Sequence, residues 1–497
     1  MNIEFGLQDL ILITPLITLF LFSLPPLLFK VFNNNKELKL AGSVLWALTG
    51  ILVAFLCNAF LLENADATIF ANALKVNLSS TFASSIVLIS AAVTIIFAKE
   101  SSLTDRNLFS ELLFLIMNST LGMLVVLLAN DLIVLFIGIE VMSLCIYMAI
   151  TLTYEERLSK ESALKYFILG SLASAIFLYG VSFVYGSVGS TYLEAITAVA
   201  PDLISTSRIF LIGSLMITLG LFFKIAAFPF YSWTPDVYQG SPTAITNFMA
   251  TGVKIVCFYA LLRWFGTYFL VDDKSLIIVN CLEWLAALTI LVGNFAAIIQ
   301  SNLKRLLAYS GIAHTGYALL GLLAAGVSKN SLGGVSSMLF YLTAYAFMTL
   351  ASFGIVNILE KKHNTILSVD DLKGMGYNHP WLAGALTITL LSLAGIPPLM
   401  GFFSKFFVIS ASLQQGFVWL SLWAVIGSVI SVYYYLRPIV NMYFSDEPSE
   451  LSTMINYSEK RFSMMAVLSC AFLLIVFGLF ANKLYLYVFK STMSLAS

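Results

Sequence analysis

Runs of about twenty apolar residues, parted by short polar stretches, recur from one end of this chain to the other. A helix rising about 1.5 Å per residue needs a run of that length to cross a hydrocarbon layer of about 30 Å. The pattern predicts about fourteen spans, numbered 1 to 14, at roughly 9–30, 39–62, 79–98, 108–129, 130–153, 161–186, 208–230, 244–268, 276–300, 303–325, 333–360, 382–412, 418–442 and 463–488. No connection is long enough to fold by itself, so residues 1–497 read as a single membrane domain.

Two spans read as broken. Span 7 runs into Pro229 and the polar stretch Tyr231 to Tyr238, and span 12 carries Gly395-Ile-Pro397-Pro398 near its centre. Proline removes a backbone donor and clashes with the preceding turn. Membranes tolerate this where the break is packed in protein or lines wet space; a plain kink is the alternative. The two breaks share a motif, Gly220-Leu-Phe-Phe-Lys224 and Gly401-Phe-Phe-Ser-Lys405, although Lys224 precedes its proline and Lys405 follows its pair. Five spans per unit then give two inverted repeats of the kind transporters use: spans 4–8 over 106–270 and spans 9–13 over 274–445. Spans 1–3 (1–105) and span 14 (460–490) flank them.

Composition agrees, with 60% of the 497 residues hydrophobic and 10% charged, against about 25% charged in soluble domains. The fold class is an all-α polytopic membrane protein with lipid as its solvent. Net charge is zero and no basic block points to nucleic acid. Glu4 and Asp9, with no Lys or Arg ahead of span 1, are unlike the basic start of a signal peptide, so span 1 is expected to stay. Cys57, Cys145, Cys257, Cys281 and Cys470 lie singly, and one His inside a span leaves no haem or copper site.

Charge then sets the orientation. The odd-numbered connections carry Lys30, Lys36, Lys39, Lys99, Arg106, Arg157, Lys160, Lys165, Lys304, Arg305, Lys361, Lys362, Lys373, Lys460 and Arg461. The even-numbered ones hold little beyond Lys75, Arg208, Lys274 and Lys329. Positive residues mark the cytoplasmic side, so the odd connections are expected inside and both termini outside.

Glu140, Lys224, Lys254, His314 and Lys405 sit inside apolar runs. A charge near the bilayer centre costs roughly 2.5–3.5 kcal/mol even on the lenient insertion scale, and such residues usually mark an ion or proton path. Burial disfavours the charged form of each, and an opposite charge nearby restores it. Lys224, at the end of an unwound helix, is the expected partner of Glu140. A structural carboxyl, a structural salt bridge and a satisfied core histidine are the alternatives for Glu140, Lys254 and His314. Lys165 and Arg437, nearer span ends, read as ordinary interfacial charges, and the many Phe and Tyr as packing and interfacial belt. No phosphate loop, clustered metal ligands or Rossmann unit is legible, so no cofactor is expected in this chain.

Several motifs are similar to those of a known family. Trp233-Thr-Pro-Asp-Val-Tyr-Gln-Gly-Ser-Pro-Thr243 with Phe248-Met-Ala-Thr-Gly-Val-Lys254, Asn302-Leu-Lys-Arg-Leu-Leu-Ala-Tyr-Ser310 with His314, and Gly395-Ile-Pro-Pro-Leu-Met-Gly-Phe-Phe-Ser-Lys405 resemble the antiporter-like membrane subunits of proton-pumping NADH:quinone oxidoreductase. The likeness covers roughly 105–445, and Trp-Thr-Pro-Asp-Val, Asn247, Lys254 and Lys405 resemble the subunit N branch rather than L or M. It implies a bacterial inner-membrane subunit in which Glu140 and Lys224 lie nearest the driving signal, Lys254 and His314 link two half-channels, and Lys405 serves the exit. It also implies that NADH, FMN, iron–sulfur clusters and quinone are handled by other subunits, with an antiporter-like sister subunit on one flank and small helical subunits on the other. The rivals are a subunit of a multi-subunit sodium/proton antiporter, which shares the fold, and a stand-alone secondary transporter, which needs a polar substrate site at the repeat interface.

Overall fold

The computed structural model describes residues 7–32, 36–61, 66–101, 107–152, 157–265, 277–326, 332–360, 367–445, 449 and 460–493. Glu4, Arg106, Lys274, Lys329, Lys361 and Lys362 lie outside the described residues, as do the side chains of Lys36 and Lys39. Among the described residues, 13 helices are long and apolar enough to cross a membrane. Helix starts follow ordinary capping chemistry. Asn77 opens span 3 by accepting from Ser80 N at 2.7 Å, Asp131 opens span 5 by accepting from Ile133 N and Val134 N, and Ser207 opens span 7 by accepting from Phe210 N.

Several expected spans differ in detail. Span 12 is two helices, Pro380–Ala394 and Met400–Gln414, each too short to cross alone. Span 7 ends at Ile225, earlier than expected, where Ala226 turns left-handed at φ 58. Span 14 is the helix Arg461–Leu479; residues from Ala481 to Thr492 form a separate helix beyond a step at Phe480. Span 1 also steps, at Leu24 between Thr14–Ser23 and Pro25–Phe32. Among the described residues the one pair of strands is a hairpin in the second connection, Asp66–Ile69 paired antiparallel with Leu74–Asn77.

Contacts between connections sort by side. Lys165 and Arg305 meet at Asp236, Lys30 pairs with Glu111, and Glu100 accepts from Phe462 N and Ser463 N, all from odd connections or the span ends beside them. Lys75 with Glu194, Asp131 with Thr191, and Arg263 with Ala129 O and Asn130 join even ones. Alternate connections therefore gather at opposite ends of the body. At its centre stand spans 8, 10 and 11: the most apolar eighteen residues of Thr243–Phe265 and of Gly333–Leu359 are wholly buried, and those of Leu303–Gly326 nearly so. Lys254 and His314 are drawn from these three, Lys224 and Lys405 from the two broken spans beside them, and Glu140 from span 5.

Candidate functional site

Lys224, Lys254, His314 and Lys405 are 3%, 3%, 3% and 5% exposed, so all four lie inside the helical body. Each is held by groups from another helix or from across a break. Lys224, in the last turn of span 7, donates to Ser143 Oγ at 2.7 Å and Tyr147 OH at 3.2 Å. Its ammonium also lies 5.6 Å and 5.9 Å from the centres of the Tyr147 and Tyr166 rings, within cation–π range. The carbonyls freed by the break below it are taken by neighbours: Trp233 Nε1 donates to Phe223 O, and Thr315 Oγ1 to Ile225 O at 2.9 Å.

Glu140 is placed differently. On span 5 it is half-buried and lies along the stripe formed by exposed Ile133, Ile137, Leu144 and Met148, on the outer surface of the body. Its Oε1 is buried without a hydrogen-bond partner, and among the described residues it makes no ion pair with Lys224. Lys224 instead meets span 5 one turn further on, at Ser143.

Lys254 follows a feature that sequence reasoning missed. Residues Met249–Val253 form a π-helical turn between the α-helices Thr243–Phe248 and Lys254–Phe265. Such turns widen the helix by one residue and recur at functional sites. No proline marks this one. Lys254 Nζ donates to Gly311 O on span 10 at 2.5 Å and reaches Tyr345 OH on span 11 at 3.4 Å.

His314 sits three residues beyond Gly311. Its Nδ1 is 2.6 Å from Tyr341 OH and its Nε2 3.2 Å from Tyr435 OH, and its ring centre is 5.2 Å and 5.9 Å from those of Tyr345 and Tyr317. Lys405, on the second half of span 12, reaches back across the break to Ala394 O at 2.9 Å, with Ser428 Oγ at the same distance. Its ammonium is 5.0 Å from the centre of the Tyr317 ring. Tyr345 therefore joins Lys254 to His314, and Tyr317 joins His314 to Lys405. Tyr317, Tyr341, Tyr345, Tyr434 and Tyr435 are all buried around His314. They lie on three helices, at spacings that carry no motif.

Thr315 links the two halves of the row. Its hydroxyl is 2.9 Å from Ile225 O, beside Lys224, and 3.1 Å from Gly311 O, the acceptor of Lys254. One hydroxyl proton serves either carbonyl. Further charges were expected at span ends with no special role. Lys165 and Arg305 clamp Asp236, at 3.1 Å and 2.7 Å, and Arg437 donates to Gln300 O. Burial alone would raise the Asp236 carboxyl, but the bonds from Arg305 and Lys165 outweigh it and hold the group below its ordinary value. Lys304, counted among the positive charges of the odd connections, forms an ion pair with Glu360 inside the protein.

Residues 129–431 match the family model described as the membrane part of NADH:quinone oxidoreductase and Mrp antiporters. The chain is 47% identical over 452 residues to NADH-quinone oxidoreductase subunit N of Bdellovibrio bacteriovorus, covering 91% of this chain and 92% of that one. A chain of respiratory complex I from Thermus thermophilus is similar at 30% identity and a TM-score of 0.79, covering 95% of this chain and 98% of that one. A chain of the Mrp complex of Dietzia sp. DQ12-45-1b is similar in fold alone, at 19% identity and a TM-score of 0.83, with 97% and 98% covered. Sequence separates what the fold does not, and the chain belongs to the subunit N family of NADH-quinone oxidoreductase, the antiporter-like membrane subunits of respiratory complex I.

Proposed function

We propose that this chain carries protons across the membrane for the complex, as a non-redox subunit, along Lys224, Lys254, His314 and Lys405, with Glu140 as the group that receives the driving signal. The observation that carries this reading is the buried row of Lys254, Tyr345, His314, Tyr317 and Lys405, each in hydrogen-bond or ring contact with the next, where no anchor needs ionisable groups. Quinone reduction in a partner subunit changes the charge near Glu140. Charges several Å apart couple by kcal/mol amounts at an effective dielectric of about 20, so the change is felt at Lys224, whose ammonium is bonded to Ser143 one turn from Glu140. Lys224 and Lys254 communicate through Thr315 and the Gly311 carbonyl. The imidazole of His314, with a tyrosine hydroxyl at each nitrogen, takes a proton at one nitrogen and releases one from the other, and Lys405 passes it outward. Spans 4–8 and 9–13 form the two half-channels.

NADH, FMN, iron–sulfur clusters and quinone belong to other subunits in this reading. The outer stripe beside Glu140 faces one of the neighbouring membrane subunits, which include an antiporter-like sister on one flank and small helical subunits on the other. The odd connections face the cytoplasm, by their excess of Lys and Arg, and both termini face the periplasm.

The test is NADH-driven acidification of inverted membrane vesicles from the native host, comparing wild type with Lys224→Ala and Lys405→Ala at equal amounts of assembled complex. Both variants are expected to lose acidification and inhibitor-sensitive NADH:quinone activity together. Acidification at the wild-type rate in either variant removes that residue from the path. A dependence on sodium rather than NADH would move the chain to the antiporter class.

A further inference from the structure

Lys304 and Glu360 form an ion pair from which water is shut out, with side chains 2% and 0% exposed. Keeping two charges from water costs so much that apolar residues in the same space are often no less stable. Stability is therefore a poor reason for the pair, and its position is the informative part. Lys304 lies in the first turn of span 10, seven residues before Gly311, whose carbonyl accepts from Lys254. Seven residues make two turns, so the two positions share a face about 10 Å apart along the axis. Glu360 directly follows span 11, the helix of Tyr341 and Tyr345. Thr243 donates to Glu360 Oε2 at 2.7 Å and is the first residue of the helix leading to Lys254. Lys304 Nζ also donates to Ser241 O at 3.1 Å. One charge pair thus ties together the odd-connection ends of the three helices whose middles hold Lys254, His314 and their tyrosines.

The neighbouring charges have other partners. Lys460 donates to the carbonyls of Asn357, Ile358 and Glu360. Glu100 accepts from the backbone of Phe462 and Ser463, Lys99 lies over the Phe462 ring, and Arg305 shares Asp236 with Lys165.

We propose that the Lys304–Glu360 pair is a further positioning element of the translocating machinery, setting by its charge balance how readily Lys254 takes up a proton from the odd-connection side. This rests on the reading of Lys254 as a proton carrier. The intact pair is neutral overall. Removing one member leaves a single buried charge about 10 Å of helix rise from the seat of the Lys254 ammonium. At an effective dielectric of about 20 that is enough to move a protonation midpoint by roughly one pH unit.

The experiment measures the rate of NADH-driven acidification against pH in inverted vesicles of the native host, with assembled complex quantified in each strain. Glu360→Gln leaves a positive charge that disfavours a protonated Lys254, and the midpoint of the profile is expected to move about one unit to lower pH. Lys304→Met leaves a negative charge and moves it to higher pH, and the double variant returns it to the wild-type position. Midpoints that stay in place, or move the same way in both single variants, overturn the proposal and reduce the pair to a clip between helices. If neither single variant assembles, Ser241→Asp, which adds a negative charge beside the intact pair, decides: a midpoint moved to higher pH supports the proposal, and an unmoved one overturns it. Failure of the underlying reading is distinct: Lys254→Ala would then acidify at the wild-type rate whatever the state of the pair.

Discussion

At the end of span 7 the freed carbonyls are taken by Trp233 and Thr315, and Lys224 is left to the hydroxyls of Ser143 and Tyr147. In span 12 the lysine itself closes the break, Lys405 donating to the carbonyl of Ala394. The difference lies in what each partner can do. A hydroxyl both accepts and donates, so it can serve a lysine with or without its extra proton; a carbonyl only accepts. Lys224 is placed among hydroxyls that tolerate a change of charge, whereas Lys405 divides itself between one hydroxyl, that of Ser428, and the backbone of its own helix pair.

The largest effect that would separate the two breaks is expected from Gly401→Ala. A Cβ there would stand 1.8 Å from Ser392 O, a backbone atom that cannot move aside, so the two halves of span 12 would be driven apart. Assembled complex should nearly vanish from membranes on native gels. Next comes the pair Ser143→Ala and Ser428→Ala. Losing a hydrogen bond to a charged group costs about 1.5–3 kcal/mol, so Ser143→Ala should slow acidification about tenfold or more. That change leaves Lys224 only the longer bond to Tyr147, whereas Ser428→Ala leaves Lys405 its 2.9 Å bond to the Ala394 carbonyl and should cost less; equal losses would end the contrast drawn above. Thr315→Val keeps the shape but strips Ile225 O of its partner, and a loss of about 1–3 kcal/mol is expected in thermal melting of the purified complex. The smallest effect concerns Asp236, which fastens the connection after span 7. Its carboxyl lies below the ordinary value, so its contribution is complete above about pH 4 and fades as pH falls through the lowered value. Melting of the wild type should therefore drop on the acid side by slightly more than that of Asp236→Asn, with the two curves parallel at neutral pH.

The spans were legible because lipid demands length and apolarity, and both breaks because Pro229, Pro397 and Pro398 announce themselves. The ionisable residues stood out for the same reason. Their facing did not: in span 5, Ile133, Ile137, Leu144 and Met148 turn outward yet are as apolar as the core side, since lipid is no more polar than protein interior. No periodicity could therefore show that Glu140 lies on the outer face. The tyrosines around His314 come from spans 10, 11 and 13 and converge only in three dimensions. Lys304 and Glu360 sit beside polar connections, where a linear reading assigns them to water. The Met249–Val253 turn lacks any proline, and nothing in its composition sets it apart from ordinary helix.

That turn has a consequence for angle rather than distance. Residues on an α-helix advance about 100° each, so Thr243 and Lys254, eleven apart, would share one side of an uninterrupted helix. The wider turn takes in an extra residue and retards everything after it by roughly one such step. Span 8 thereby presents Thr243 to Glu360 at one end and, out of phase with it, Lys254 to the Gly311 carbonyl further in. A single chain segment addresses two neighbours on different bearings, and the compass setting is stored in five residues without charge.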